Sequence, residues 1–317
     1  MSALARIVDV VLDRTVMLGY TRPGYLIRSA HWSPSELEPM PGKVVLVTGA
    51  TSGLGTATAE GFARLGAQVW LLVRDLERGE RVRAELLSRT GNHELHVGVC
   101  DLSELRSVRR FVGRFSAQVD RLDVLVNNAG VLTGERELSR DGIELTLATN
   151  VVGPFLLTKL LLGMLERSAP SRVINVSSGG MYAGRIDLDD LQAARGKFRG
   201  AAAYARAKRA QVILTEQWAA RLQGMGVVVQ AMHPGWVDTP GLADALPGFR
   251  RALRGLLRTP EQGADTIVWL GSAREPLEHP GSFWHDRARR PTHLLPSTRE
   301  PRERHERLWS AVETLSG

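Results

Sequence analysis

Cysteine is nearly absent from this chain. Among 317 residues there is one, Cys100, so no disulfide can form within the chain, and a reducing, cytoplasmic setting is the expectation. No His, Cys and acidic residues cluster at ligand spacing, so no metal site is expected. Long apolar runs are missing too. Stretches such as Val44–Val47 and Val69–Val73 are strand-sized, far short of a membrane-crossing helix. The N-terminal stretch interrupts its apolar residues with Arg6, Asp9, Asp13 and Arg14 and lacks a small-residue cleavage pattern, so no secretory leader is expected. Lysine occurs only at 43, 159, 197 and 208, and arginine supplies the rest of a net charge of +7. With a pI of about 10.1 the chain should attract anions. Its basic residues are interleaved with acids and gather only from Arg287 to Arg307. No helix-turn-helix, zinc-finger spacing or aromatic-basic stacking motif accompanies them, so no nucleic-acid partner is expected. A solvated surface and a phosphate-bearing cofactor account for the charge.

What is present is a rhythm of short β-branched runs and amphipathic stretches. Strands are expected at Lys43–Val47, Gln68–Val73, Leu95–Val99, Val124–Val126, Arg172–Val176 and Val227–Met232. Helices are expected at Gly53–Leu65, Leu76–Ser88, Ser103–Val119, Gly142–Leu165 and Tyr204–Leu222. Strands separated by helices of this length imply right-handed crossovers. The expected fold is a single α/β Rossmann-type domain over 43–290, a doubly wound, seven-stranded parallel sheet with helices on both faces. Residues 1–42 form an N-terminal extension, 291–317 a basic tail with a short helix, and 179–200 and 236–258 irregular segments on the substrate side.

After the first strand comes Thr48-Gly49-Ala50-Thr51-Ser52-Gly53-Leu54-Gly55. Glycines between a strand and a helix let backbone N–H groups approach a pyrophosphate at the positive end of the helix dipole. Arg74 follows the second strand, where an arginine accommodates the 2′-phosphate of NADP and an acid binds the ribose of NAD. Asp75 competes for the second role but stands where it suits an N-cap for the next helix. NADP(H) is therefore expected ahead of NAD(H).

Tyr204 and Lys208 lie four residues apart and share one helical face. A phenol titrating near 10 is a poor acid/base at neutral pH, and a nearby ammonium lowers that value. Ser178, in Asn175-Val176-Ser177-Ser178-Gly179-Gly180, emerges at the carboxyl edge of the sheet, where doubly wound folds bind ligands. A hydroxyl there can hold a substrate oxygen. Asn127-Asn128-Ala129-Gly130 ends the fourth strand at the same edge, and Asn150 sits in the helix that follows.

With these motifs in this order, the chain resembles the short-chain dehydrogenase/reductase (SDR) family over roughly Lys43 to the last strand. The long Ser178–Tyr204 separation resembles the retinol dehydrogenase-like branch. Ser177-Ser178-Gly179-Gly180-Met181, Lys208-Arg209, His233-Pro234-Gly235-Trp236 running on to Asp238-Thr239-Pro240-Gly241, and Gly263-Ala264-Asp265-Thr266 resemble the family's member-twelve subgroup. The resemblance implies Tyr204 as proton donor or acceptor, Lys208 as ribose ligand, Ser178 as carbonyl orienter and Asn150 as holder of a relay water. It also implies cofactor contacts from Asp101 and Leu102 to adenine, from the Asn128, Ala129 and Gly130 segment, and from Pro234, Gly235, Val237 and Thr239 to nicotinamide. Tyr182 lacks a basic residue four positions on and belongs to the substrate pocket at most. His233 is expected to be structural.

The leading expectation is an NADP(H)-dependent oxidoreductase acting on a fairly apolar ketone, aldehyde or alcohol. The alternative is a dinucleotide-binding sensor without turnover, since fold alone never guarantees catalysis. Leu4, Ile7, Val8, Val11 and Leu12 share one helical face. Residues 1–20 then either lie weakly on a membrane surface or pack against their own domain or a dimer partner. The resemblance implies that the helices after Gly142 and around Tyr204 pair in a homodimer unless the N-terminal segment blocks them.

Overall fold

A computed structural model describes Asp9, Leu12 and residues 15–245, 247–294 and 299–317. Most of the N-terminal apolar face, Leu4 to Val11, lies outside the described residues. The strands are β1 Val44–Thr48, β2 Gln68–Val73, β3 Leu95–Val99, β4 Val124–Asn127, β5 Ser171–Val176, β6 Val227–Met232, β7 Phe283–His285 and β8 Ala288–Arg290. The longer helices are α3 Gly53–Arg64, α4 Leu76–Thr90, α5 Leu105–Ser116, α6 Leu145–Arg167, α7 Gly200–Arg221, α10 Pro260–Ser272 and α11 Arg302–Ser316. Short helices precede the sheet, α1 Val16–Gly19 and α2 Arg22–Ser29, and follow β6, α8 Pro240–Ala245 and α9 Pro247–Leu253.

The sheet runs β3-β2-β1-β4-β5-β6-β7-β8, parallel through β7. Because neighbouring side chains on a strand face opposite ways, β1 serves two cores. Val44 and Leu46 join Phe111, Phe155 and Trp218 of α5, α6 and α7. Val45 and Val47 join Phe62, Leu86 and Trp269 of α3, α4 and α10. Parallel strands covered on both faces are apolar throughout, as β1 is. The α6 helix is long and apolar enough to cross a membrane, but 78% of its apolar window is buried inside this domain.

The sheet has eight strands rather than seven, and the last is antiparallel. Asp286 and Arg287, with φ of 51° and 54°, form the two-residue turn between β7 and β8. Such a turn needs positive φ at both centres and normally carries Asn-Gly or Asp-Gly, so an Asp-Arg pair gives no hairpin signal. The arginine-rich end is also less solvated than its composition implies. Arg287 pairs with Asp265 and Glu36, Arg290 pairs with Asp9, and both side chains are almost fully buried. The α11 helix lies across α6 and α7, with the Trp309 ring 4.8 Å from Phe155 and 4.7 Å from Trp218. It covers the helices that the resemblance assigned to a dimer contact; among the described residues the C-terminal helix stands there.

Candidate active site

The glycine-rich turn after β1 is built for close approach. A Cβ at Gly55 would lie 2.2 Å from the Gly49 carbonyl oxygen and 2.7 Å from Asn128 Nδ2, so only glycine lets α3 start against the fourth-strand segment. Gly49 takes φ +66° beside Ala129. Asn128 Nδ2 donates to the Thr48 carbonyl at 2.8 Å, and Thr48 Oγ1 accepts from the Asn128 and Ala129 amides, both at 2.9 Å. Ser52 at the N-cap of α3 makes no side-chain cap, leaving first-turn N–H groups without that partner. Thr51, Ser52, Gly53 and Leu54 are half-buried around the turn. Thr239, from the loop after β6, comes within 2.9 Å of where a Gly53 Cβ would be, so that loop faces the cradle.

Arg74 is exposed at the end of β2. Asp75 is the N-cap of α4, its Oδ1 accepting from the Arg78 amide at 2.9 Å. Asp101 Oδ1 accepts from the Ser103 amide and hydroxyl at 2.9 and 2.7 Å, and Leu102 is buried, its carbonyl against Gly153.

At the carboxyl edge of the sheet the chemistry-bearing residues converge. Ser178 caps a short 3-10 turn, its Oγ accepting from the Gly180 amide, and it stands close enough to Tyr204 to favour the phenolate. Lys208 Nζ stands 5.4 Å from the Tyr204 ring centroid and donates to the Val176 carbonyl at 2.8 Å. A Cβ on Gly130 would meet Lys208 Nζ at 3.5 Å and Asn150 Oδ1 at 3.4 Å, so those three residues share one corner. Asn150 sits in a π-helical stretch, Ala148–Val152, at the start of α6. Single-turn π segments concentrate at functional sites. Its side chain holds both the amide (2.8 Å) and the carbonyl (3.0 Å) of Val131, and its own carbonyl accepts from Gln211 Nε2.

Burial governs the electrostatics. It pushes the Tyr204 phenol up to about 12, opposed by the Ser178 hydrogen bond. It pulls the Lys208 ammonium down to about 7, with no carboxylate to hold the charge. Burial outweighs the expected lowering of the phenol by Lys208 in the ligand-free site, where a lysine titrating near 7 is neutral at the pH at which the phenol ionises.

His233 is structural, as expected. It is buried, pushed well below its ordinary range by burial, stacked 3.8 Å from His285, and its Nδ1 accepts from the Gly235 amide. Tyr182 donates to the Pro291 carbonyl at 2.7 Å.

Two constellations escape sequence reasoning. Asn127 Nδ2 donates to Asn175 Oδ1 (2.9 Å) and Asn175 Nδ2 to Thr215 Oγ1 (2.8 Å), tying β4, β5 and α7 beneath the site. A buried ion cluster joins Arg258, Asp286 and Arg28 under the Pro234–Thr239 loop. Arg258 bonds the Pro234 carbonyl, and its own backbone brackets Trp236 and Asp238. Asn127 and Asn175 lie 48 residues apart and Arg258 and Asp286 lie 28 apart, so no local pattern links either pair.

The short chain dehydrogenase family profile matches residues 43–247. The chain is a short-chain dehydrogenase/reductase. This SDR is 42% identical to dehydrogenase/reductase SDR family member 12 of Bos taurus over 94% of each chain. It is 42% identical to human retinol dehydrogenase 11 over 72% of each. Among solved structures, a protein from Mycobacterium Paratuberculosis superposes with a TM-score of 0.71 at 31% identity, covering 90% of this chain and 97% of that one. The Pseudomonas aeruginosa RhlG/NADP active-site complex superposes at 0.65 and 28%, covering 80% and 96%. The subgroup expected from the Ser177–Met181 and His233–Gly241 motifs and the branch expected from the long Ser178–Tyr204 separation are both among these relatives.

Proposed function

We propose that this SDR is an NADP(H)-dependent carbonyl reductase or alcohol dehydrogenase acting on a fairly apolar ketone, aldehyde or alcohol, with Tyr204 as general acid/base. The observation that carries the reading is the convergence of half-buried Ser178 and Tyr204 with buried Lys208 at one corner of the sheet edge. The residues fit a nicotinamide dinucleotide: a first turn of α3 without a side-chain cap, a cradle a Cβ would fill, and a buried lysine lacking a counter-charge. Gly49, Thr51, Ser52, Gly53, Leu54 and Gly55 would hold its pyrophosphate. Asp101 and Leu102 would meet adenine, Asn128, Ala129 and Gly130 the ribose side, and Pro234, Gly235, Val237 and Thr239 the nicotinamide. Arg74 is the residue for a 2′-phosphate, since it is exposed while Asp75 is engaged as a cap. The RhlG structure, a relative at 28% identity, is an NADP complex, which supports the same choice.

When bound, the nicotinamide exchanges a hydride with the substrate carbon. The Ser178 hydroxyl fixes the substrate oxygen beside the phenol. Tyr204, protonated at neutral pH because burial raises its pKa, donates a proton to that oxygen as it gains charge in reduction. Lys208 keeps one donor on the Val176 carbonyl and would offer its others to the ribose hydroxyls. Asn150 holds the chain at Val131 and so the corner at Gly130, with its carbonyl toward the helix carrying Tyr204.

The α11 helix replaces a partner's helices over α6 and α7, so we place the protein as a monomer at that face. The exposed side chains of Val16, Met17, Leu18, Leu26 and Ile27 give the N-terminal segment an apolar outer face for weak membrane contact.

The test is Tyr204→Phe, assayed with NADPH and apolar aldehydes. It should lower turnover by roughly a hundredfold to ten-thousandfold, with NADPH affinity retained. Near wild-type turnover refutes the mechanism.

A further inference from the structure

The N-terminal segment reaches the catalytic edge through one side chain. Tyr20 stands between α1 and α2 and is 6% exposed. Its carbonyl accepts from the Trp236 amide at 2.8 Å and from Arg258 Nε at 3.1 Å. The preceding carbonyl, Gly19, accepts from Arg28, Arg258 and His285. Three buried cationic or imidazole groups thus hold two consecutive peptide units, and Asp286 bridges the two arginines while Asp9 also pairs with Arg28. A segment tethered this way cannot slide without stranding buried charge.

The tether aims the ring. Tyr20 meets His233 edge-on at 4.4 Å and Trp236 at 5.9 Å. A Cβ on Gly179 would lie 2.4 Å from Tyr20 Cε2, so the ring occupies the volume a side chain at 179 would take, one residue beyond Ser178. Trp236 in turn packs edge-on against Phe249 of α9 at 5.0 Å. An aromatic row therefore runs from the N-terminal segment, past the carboxyl ends of β5 and β6, to the helices of the 236–258 segment.

We propose that Tyr20 is a specificity-determining residue, the side wall of the substrate cleft beside Ser178 whose ring sets the size of the apolar group admitted. This rests on the reading of Ser178 and Tyr204 given above. Tyr20 touches no reacting atom in this assignment. It limits the space next to the carbonyl and, through Trp236, sets where Phe249 closes the far side.

The experiment uses the full chain with Tyr20→Ala, Tyr20→Leu and Tyr20→Phe, each checked for folding by circular dichroism, Tyr20→Leu serving if the alanine variant unfolds. A series of straight-chain and branched aldehydes and ketones of increasing length is assayed for turnover with NADPH. The same compounds are titrated by calorimetry into the NADP⁺-loaded protein, so selectivity is read from binding as well as from rate. The alanine and leucine variants should shift the preferred size upward, changing the long-to-short ratio of kcat/KM by about tenfold or more, mostly through KM. NADPH affinity should stay within about twofold. Tyr20→Phe should restore the wild-type size preference. An unchanged size preference in turnover and binding overturns the assignment, as does loss of NADPH affinity equal to that for the carbonyl series. Binding that shifts with residue 20 while no protein turns over any compound leaves the wall assignment standing and overturns the catalytic reading instead.

Discussion

Lys208 offers a test that needs no substrate. It is 2% exposed and faces no carboxylate, and burial lowers it from 10.5 to about 7. A lysine whose folded pKa lies below its unfolded value destabilises the fold wherever the unfolded chain holds the extra proton. That cost is complete below pH 7 and shrinks as pH rises toward 10.5. At about 1.4 kcal/mol per pH unit per proton, stability should rise by about 2 kcal/mol between pH 7 and pH 9. Other groups titrate in the same window. The Cys100 thiol, pushed up to about 12 by burial, acts with the opposite sign, because its unfolded form ionises first. The comparison is therefore with Lys208→Met, which removes the proton and keeps most of the stem. Urea unfolding without cofactor, followed by far-ultraviolet circular dichroism at both pH values, gives the difference of differences. The wild type should gain about 2 kcal/mol on the variant over this range, and the variant should be the more stable protein at pH 7. Parallel pH dependence of the two proteins would refute an uncompensated lysine at this corner.

Other perturbations have calculable outcomes. Arg74→Ala should weaken NADPH by roughly tenfold to a hundredfold through loss of a charged hydrogen bond and leave NADH binding unchanged, read by fluorescence titration. Asp286→Asn leaves Arg258 and Arg28 facing an amide, at a cost of about 3–5 kcal/mol; at about 2.1 cal/mol/K per residue over 317 residues this lowers Tm by roughly 5–8 °C in calorimetry. Trp309→Ala removes the ring that α11 seats on Phe155 and Trp218 and should cost about 3–5 kcal/mol in urea unfolding; size-exclusion chromatography of the intact chain should show a monomer.

How much was legible follows from the range of the signals. The first six strands, five of the main helices, the cradle and the Tyr204–Lys208 pair are written in local patterns, and each stands within a few residues of its expected place. The π segment at Asn150 was not legible, because Ala148–Val152 has the composition of ordinary helix. Nor was the β7–β8 hairpin, whose Asp286-Arg287 turn adopts positive φ without the residues that usually favour it. That miss had consequences. The end of the expected 43–290 domain, whose arginines were expected on a solvated surface, holds Asp286 and two buried arginines, and its turn anchors both the N-terminal segment and the Pro234–Thr239 loop. Long-range ion clusters depend on which turns meet in space, and hydrophobic periodicity carries no record of that.

The two pKa shifts at the site bear on what a bound ligand must supply. Burial favours the neutral form of each group, so Tyr204 keeps its proton while Lys208 sheds part of its charge. On the proposed mechanism, a protonated phenol beside Ser178 is the acid for a carbonyl oxygen. Oxidation of an alcohol needs the phenolate, and so needs a charged lysine to stabilise it. Lys208 carries most of its charge only below its pKa of about 7, whereas the phenol at about 12 ionises only far above that. No pH satisfies both conditions in the ligand-free site, so a change of pH alone should not substitute for the groups that bind there. Reduction leaves Tyr204 as the same phenolate that oxidation requires, so on the proposed mechanism both directions need positive charge restored to Lys208 by the groups that bind against it.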